Sequence, residues 1–244
     1  MTKHFENESL REYLQNHFPS LLIVVDAIIK NKLTNWGHFI AILSAENKFQ
    51  IQHKDWVNCK ITISEGIVYA EAGANRKKEN YGYNEFLNYP MPNYLYVIDE
   101  YLLYKTDNNG RVIEASAKFK NGETIYRRGT PPLVEEQKRV ITSKDGDEQR
   151  DQGGHIISKD IGGPYEQINQ VPMLSTVNQG GLWKIIENCE RDAWYKRKEV
   201  FTKRRLYYNG SSMRPYKFEV QLQVDRQPVR FDEQEVLIIN NCLD

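Results

Sequence analysis

"DQGGHIISKDIGGPYEQINQVPMLSTVNQGGLWKIIE", residues 151–187, decides how this chain is read. It holds His155, the only histidine after His53. Gly153 and Gly154 stand directly before it, and the apolar pair Ile156-Ile157 follows. Residues 144–154, "KDGDEQRDQGG", read as a polar loop, and "HIIS" (155–158) as a short strand. His155 is thus expected on a glycine hinge at the mouth of a strand. Residues 159–181 read as a long irregular crossing rich in Gly, Asn and Pro. Residues 182–201 read as a helix, with Leu182, Ile186, Cys189 and Ala193 as its apolar stripe.

Upstream, "YLYVIDEYLLYKT" (94–106) is apolar and aromatic, and "DNNG" (107–110) reads as a type I′ hairpin turn into "RVIEASAKF". Downstream, "KFEVQLQVD" and "PVRFDEQEVLIIN" read as a strand pair. The first third differs. Residues 6–33 look helical with a break at Pro19, and "GHFIAIL", "KFQIQ" and "CKITI" look like strands. A polar connection at 73–93 places a boundary there: an N-terminal α+β region at 1–90, with no motif to give it a role, and a second domain at 91–244.

The chain has 244 residues, 11% aromatic and 27% charged, as expected of a folded protein with a real core. Its formal net charge of +0 argues against a globally basic nucleic-acid binder but leaves room for a local basic face. Cys59, Cys189 and Cys242 have neither zinc spacing nor the even count of a disulfide framework. The start lacks an apolar signal core, and "LLIVVDAII" (21–29) is interrupted by Asp26 and too short to span a bilayer. Synthesis in the cytosol with no membrane partner is expected; secretion or delivery to a target cell without a signal peptide stays open.

Asp151, Gly153, Gly154 and His155, then Asn169 and Pro172, then Asn178, Gly180, Trp183 and Glu187 stand in an order and spacing that resembles the DNA/RNA non-specific endonuclease family. Its site is a ββα-metal motif, and the D-x-G-G-H variety resembles the nuclease domains of bacterial polymorphic toxins. The resemblance covers roughly residues 94–240. Three departures stand out: Gln152-Gly153 replaces the arginine of D-R-G-H, an extra glycine stands between Asn178 and Trp183, so that Gly180-Gly181 are expected in the turn before a helix starting near Leu182, and Met173 stands where glutamine is usual. The resemblance implies an α+β fold with an antiparallel sheet carrying His155 and a helix carrying Asn178 and Glu187. It implies a metal-dependent endonuclease acting on DNA, RNA or both, with Mg2+ as cofactor (Mn2+ or another divalent ion as substitutes) and an immunity protein as partner.

Hydrolysing a phosphodiester needs a water relieved of a proton and a cation beside the developing charge. His155 suits the first task, because its unperturbed pKa lies near neutrality; such a base is worth roughly 10²–10⁴-fold. By the resemblance, Asn178 is the direct Mg2+ ligand, and Glu187 holds one of the ion's waters. Arg127 and Arg128 in "YRRG", Arg214 in "SSMRP", and Asn169 are the substrate-binding candidates. Lys196, Arg197, Lys198, Lys203, Arg204 and Arg205, interleaved with Trp194, Tyr195 and Phe201, form a basic stretch that suits a nucleic-acid backbone or a plain solvated face. Plainer roles compete. Asn178 could cap a helix, Glu187 could pair with Arg191 at i+4, Trp183 could be core, and Asn169 could hold the crossing loop. A catalytically silent binding or interaction module that keeps the fold is the alternative.

Overall fold

Apolar side chains at helical spacing form α1 (Asn7–His17) and α2 (Pro19–Lys32), with Pro19 in the first turn of α2, where its missing N–H costs nothing. In the computed structural model, which describes residues 2–56, 58–72, 83–119 and 134–242, both helices bury their apolar stripes. Leu10 and Leu14, then Leu21, Val24, Val25 and Ile28, pack against β1 (Lys3–Glu6), β2 (Phe39–Leu43), β3 (Phe49–His53), β4 (Lys60–Ser64) and β5 (Ile67–Ala70). Alternate residues Phe39, Ala41, Phe49, Ile51, Ile61 and Ile63 supply the sheet side of that core.

The second part contributes β6 (Leu95–Ile98), β7 (Leu102–Thr106) and β8 (Val112–Phe119). After α3 (Val134–Ser143) come β9 (Asp151–His155), β10 (Gln170–Leu174), α4 (Ser175–Asn178) and α5 (Gly181–Tyr195). The chain then runs through β11 (Val200–Tyr208), β12 (Pro215–Val224), β13 (Gln227–Pro228) and β14 (Val236–Asn240). Among the described residues a 12-stranded sheet runs in the order β1-β2-β3-β4-β5-β6-β7-β8-β11-β12-β13, with β14 also on β12. β9 and β10 pair antiparallel as a separate two-stranded sheet. The chain forms the expected α+β class: the large sheet is antiparallel except between β5 and β6, and the antiparallel pair that carries His155 is the small separate one.

The sheet does not stop at residue 90. β5 pairs parallel with β6, Ile67 opposite Leu95, so the strands of both halves make one sheet over one core. Asn84 N–H donates to Glu166 Oε1 (3.0 Å), and Gln167 N–H donates to Asn88 Oδ1 (3.0 Å). The segment before the expected boundary thereby grips the crossing between β9 and β10.

Three local expectations change. "YLYVIDEYLLYKT" is two strands, turned at Asp99 and Glu100, both with positive φ (51° and 68°). "DNNG" closes its hairpin differently from type I′. Only Gly110 has positive φ (74°), Gly110 N–H donates to Asp107 O, and the register shifts between Lys105 and Thr106. Asp107 Oδ1 accepts from the N–H groups of Asn109 and Arg111, which holds Asn109 out of the left-handed region. The helix expected at 182–201 ends at Tyr195, and β11 begins at Val200.

His38 and His53, which match no motif, lie in the first part. Thr34 Oγ1 bridges them, 3.1 Å from His38 Nδ1 and 3.0 Å from His53 Nε2, and His53 stacks on Trp56 with centroids 3.7 Å apart.

Candidate active site

The strand under His155 is not "HIIS" but "DQGGH". β9 runs Asp151–His155, and Ile156 follows it. The register sets His155 opposite Gln170, Gly154 opposite Val171 and Gln152 opposite Met173. A Cβ on Gly154 would lie 2.9 Å from Met173 Cβ and 3.1 Å from its Sδ. The space beside that glycine is therefore filled by Met173, itself fully buried, and not left open for a phosphate.

Each end of the motif is held by buried polar contacts. Asp151 takes the guanidinium of Arg214, Nε on Oδ2 at 2.6 Å and Nη2 on Oδ1 at 2.8 Å, while Nη1 donates to Asn241 O. Arg214 was expected at a phosphate. Its side chain is 8% exposed and committed to this carboxylate and carbonyl. Asn241 extends the clamp: its Nδ2 donates to Pro172 O and Pro215 O, and its Oδ1 accepts from Leu174 N–H. Asn169 is also wholly buried. Its Oδ1 accepts from Tyr104 Oη–H (2.9 Å) and Ile157 N–H (2.7 Å), and its Nδ2 donates to the carbonyls of Ile157 and Pro164. Those bonds use its polar group inside the crossing loop. Lys144 Nζ adds a tie from the end of α3 to Gln167 O (2.7 Å) and Gln170 O.

His155 is half-buried at the end of β9, its ring edge-on to Tyr165 with centroids 5.8 Å apart. Asn178 ends α4, and the helix after it is capped by Gly180, without a side-chain bond. The side chain of Asn178 is thus no helix cap. Its Nδ2 donates to Gln152 Oε1 at 3.0 Å, which ties α4 to the strand that ends at His155. Its Oδ1 accepts no hydrogen bond from the described residues; a carboxamide oxygen is a donor type that Mg2+ accepts.

Glu187 lies on α5 with its side chain 14% exposed. Its partner is Lys184, at 3.2 Å, and not Arg191, which turns to Asp160 (3.5 Å) and Asp192 (3.8 Å). Burial raises the Glu187 carboxyl above the usual carboxylate range; Lys184 pulls it back down and Glu190 pushes it up. Among the described residues no group of three or more His, Cys, Asp or Glu is arranged around a cation. A site built on one carboxamide oxygen, waters and substrate phosphate needs no such cluster.

α5 buries Trp183, Ile186, Glu190 and Ala193, where Leu182, Ile186, Cys189 and Ala193 were expected: Trp183 replaces Leu182 and Glu190 replaces Cys189. Glu190 Oε1 accepts from Arg204 Nη2 at 2.7 Å, the two side chains 0% and 1% exposed, and the Arg204 guanidinium lies 5.4 Å from the Trp183 ring. Arg204 therefore leaves the expected basic stretch. Lys203 and Arg205, which point to the other face of β11, share Glu114, and Lys198 pairs with Asp225. Lys196 and Arg197 stay exposed. Arg127 and Arg128 lie outside the described residues.

Sequence reading missed Gln152, Glu190 and Asn241. Glu190 could have been found: helical spacing from Trp183 and Ile186 sets it on the apolar face, where a carboxylate demands a partner.

A sequence profile of the DNA/RNA non-specific endonuclease family matches residues 92–226. Three solved structures are similar in fold. NucA from Streptococcus agalactiae with a magnesium ion bound has TM-score 0.43 and 16% identity, over 59% of this chain and 73% of that one. Sda1 nuclease with a bound zinc ion has TM-score 0.39 and 14% identity, over 58% and 77%. A protein described as an extracellular endonuclease has TM-score 0.39 and 16% identity, over 59% and 79%. Among the described residues no helix is long and apolar enough to cross a membrane.

Proposed function

Because this chain belongs to the DNA/RNA non-specific endonuclease family, we propose that it is a divalent-metal-dependent endonuclease that hydrolyses phosphodiester bonds in DNA, RNA or both. One observation carries the reading. Among the described residues nothing donates to Asn178 Oδ1 at the end of α4, on a side chain bonded to the strand that His155 terminates.

Asn178 would hold the ion and Glu187, on α5, one of its waters; a bound Mg2+ or Mn2+ would supply positive charge at the phosphate and at the leaving oxygen. His155 takes the proton from the attacking water. His155 sits half-buried at the end of β9, on the strand tied to Asn178 through Gln152. Glu187 orients water, and its carboxylate must be ionised to do so. Asp151, Arg214, Asn241 and Asn169 hold the two strands and the crossing in place, so their part is positioning. Arg127, Arg128 and the exposed Lys196 and Arg197 are the proposed phosphate contacts. The D-x-G-G-H variety further favours a delivered antibacterial toxin whose site an immunity protein would cover.

Plasmid DNA and total RNA, each with Mg2+ or with EDTA, test the reading on wild type and His155→Ala. Cutting should require the ion and fall by roughly 10²-fold or more in the variant. A wild-type protein that cuts neither polymer with any divalent ion would be the silent module instead.

A further inference from the structure

We infer that Gln152 is a positioning residue: it sets which end of the Asn178 carboxamide faces the cation. The inference rests on the proposed role of Asn178. A carboxamide has two ends of nearly equal size, one an acceptor and the other a donor. A half-turn about its last bond replaces a metal ligand with an N–H group that repels the ion. Something must therefore select the rotamer.

α4 cannot do this alone. It has four residues, Ser175–Asn178, and the following Gly180 gives no side-chain cap. Gln152 can. Its Oε1 accepts from Asn178 Nδ2 at 3.0 Å in a half-buried setting, which directs Oδ1 the other way. Gln152 is itself anchored. Its backbone pairs with Met173, and its neighbour Asp151 is fixed by the two-pronged bond from Arg214. An acceptor on β9 thus orients a proposed ligand on α4, the kind of outer partner whose loss typically lowers metal affinity about 10–100-fold.

The test reads Mn2+ binding directly, by electron paramagnetic resonance titration of the purified full chain. It also reads the Mn2+ concentration giving half-maximal plasmid nicking, apart from the limiting rate. Gln152→Met keeps the length and removes the acceptor; Gln152→Glu keeps an acceptor oxygen; Asn178→Ala removes the ligand. The inference expects Gln152→Met to raise the Mn2+ dissociation constant about tenfold or more, with Gln152→Glu close to wild type. Equal binding by wild type and Gln152→Met, while Asn178→Ala binds poorly, overturns the role of Gln152 and leaves the site reading intact. Equal losses in Gln152→Met and Gln152→Glu also overturn it, since the acceptor would not be what matters. Wild-type binding by Asn178→Ala overturns the site reading and this inference with it. Circular dichroism melts of each variant separate unfolding from lost affinity.

Discussion

Burial raises the Glu187 carboxyl, and Lys184 at 3.2 Å is the main counterweight. Removing that ammonium by Lys184→Met lets the carboxyl rise further, so the ionised form is lost at higher pH. The acid limb of the kcat/KM profile should move upward while the neutral plateau persists, and pH-rate profiles of the two proteins check this. An unmoved limb would take Glu187 out of the chemistry. His53 gives a second residue-level outcome, this time in stability. Burial lowers its pKa, opposed by Asp55 and aided by His38. The fold thus prefers neutral His53, and the unfolded chain binds the proton first. Stability is full above the ordinary imidazole range and is lost as pH falls through the depressed value. Trp56, stacked on that ring, reports it: its fluorescence should show an acid-induced loosening that His53→Gln removes.

α5 and β11 meet through Glu190 and Arg204. A lone buried charge is far worse than a buried pair, so Glu190→Ala should cost about 3–5 kcal/mol, and Glu190→Leu with Arg204→Met should recover most of it. Urea unfolding of the three proteins measures the difference. This contact was half legible. Two periodicities, 3.6 on the helix and 2 on the strand, each set a charged residue on an apolar face. The start of α5 and the hairpin strands β7 and β8 were legible for the same reason: long apolar patterns fix them locally. β9 and β10 were not. Glycines weaken the first and Pro172 would usually exclude the second, yet Pro172 is tolerated because β10 has only β9 as a neighbour. What makes them strands is distant in sequence: Arg214 on Asp151, and Asn241 on Pro172 and Leu174. Of the candidate site, His155, Asn178 and Glu187 were named from their order and spacing in the chain. Gln152 escaped because its contact with Asn178 exists only once β9 and α4 are side by side.

At the scale of the molecule, the family match starts at residue 92, where the composition changes, while the sheet runs on through β5 and β6. Residues 91–244 expressed alone would leave the β6 edge open and lose the grip of Asn84 and Asn88 on the crossing loop. That fragment should self-associate on size-exclusion chromatography, where the full chain runs as a defined species. A monomeric fragment that still nicks plasmid would show the two parts to be separable. The Asn241 clamp carries a consequence in time. On a ribosome, His155, Asn178 and Glu187 are all made before the asparagine that latches β10 to β12. Until the segment through Asn241 has been translated, the growing polypeptide carries the proposed site residues without the tie that holds β10 to β12, so the proposed activity would appear only once that segment has left the ribosome.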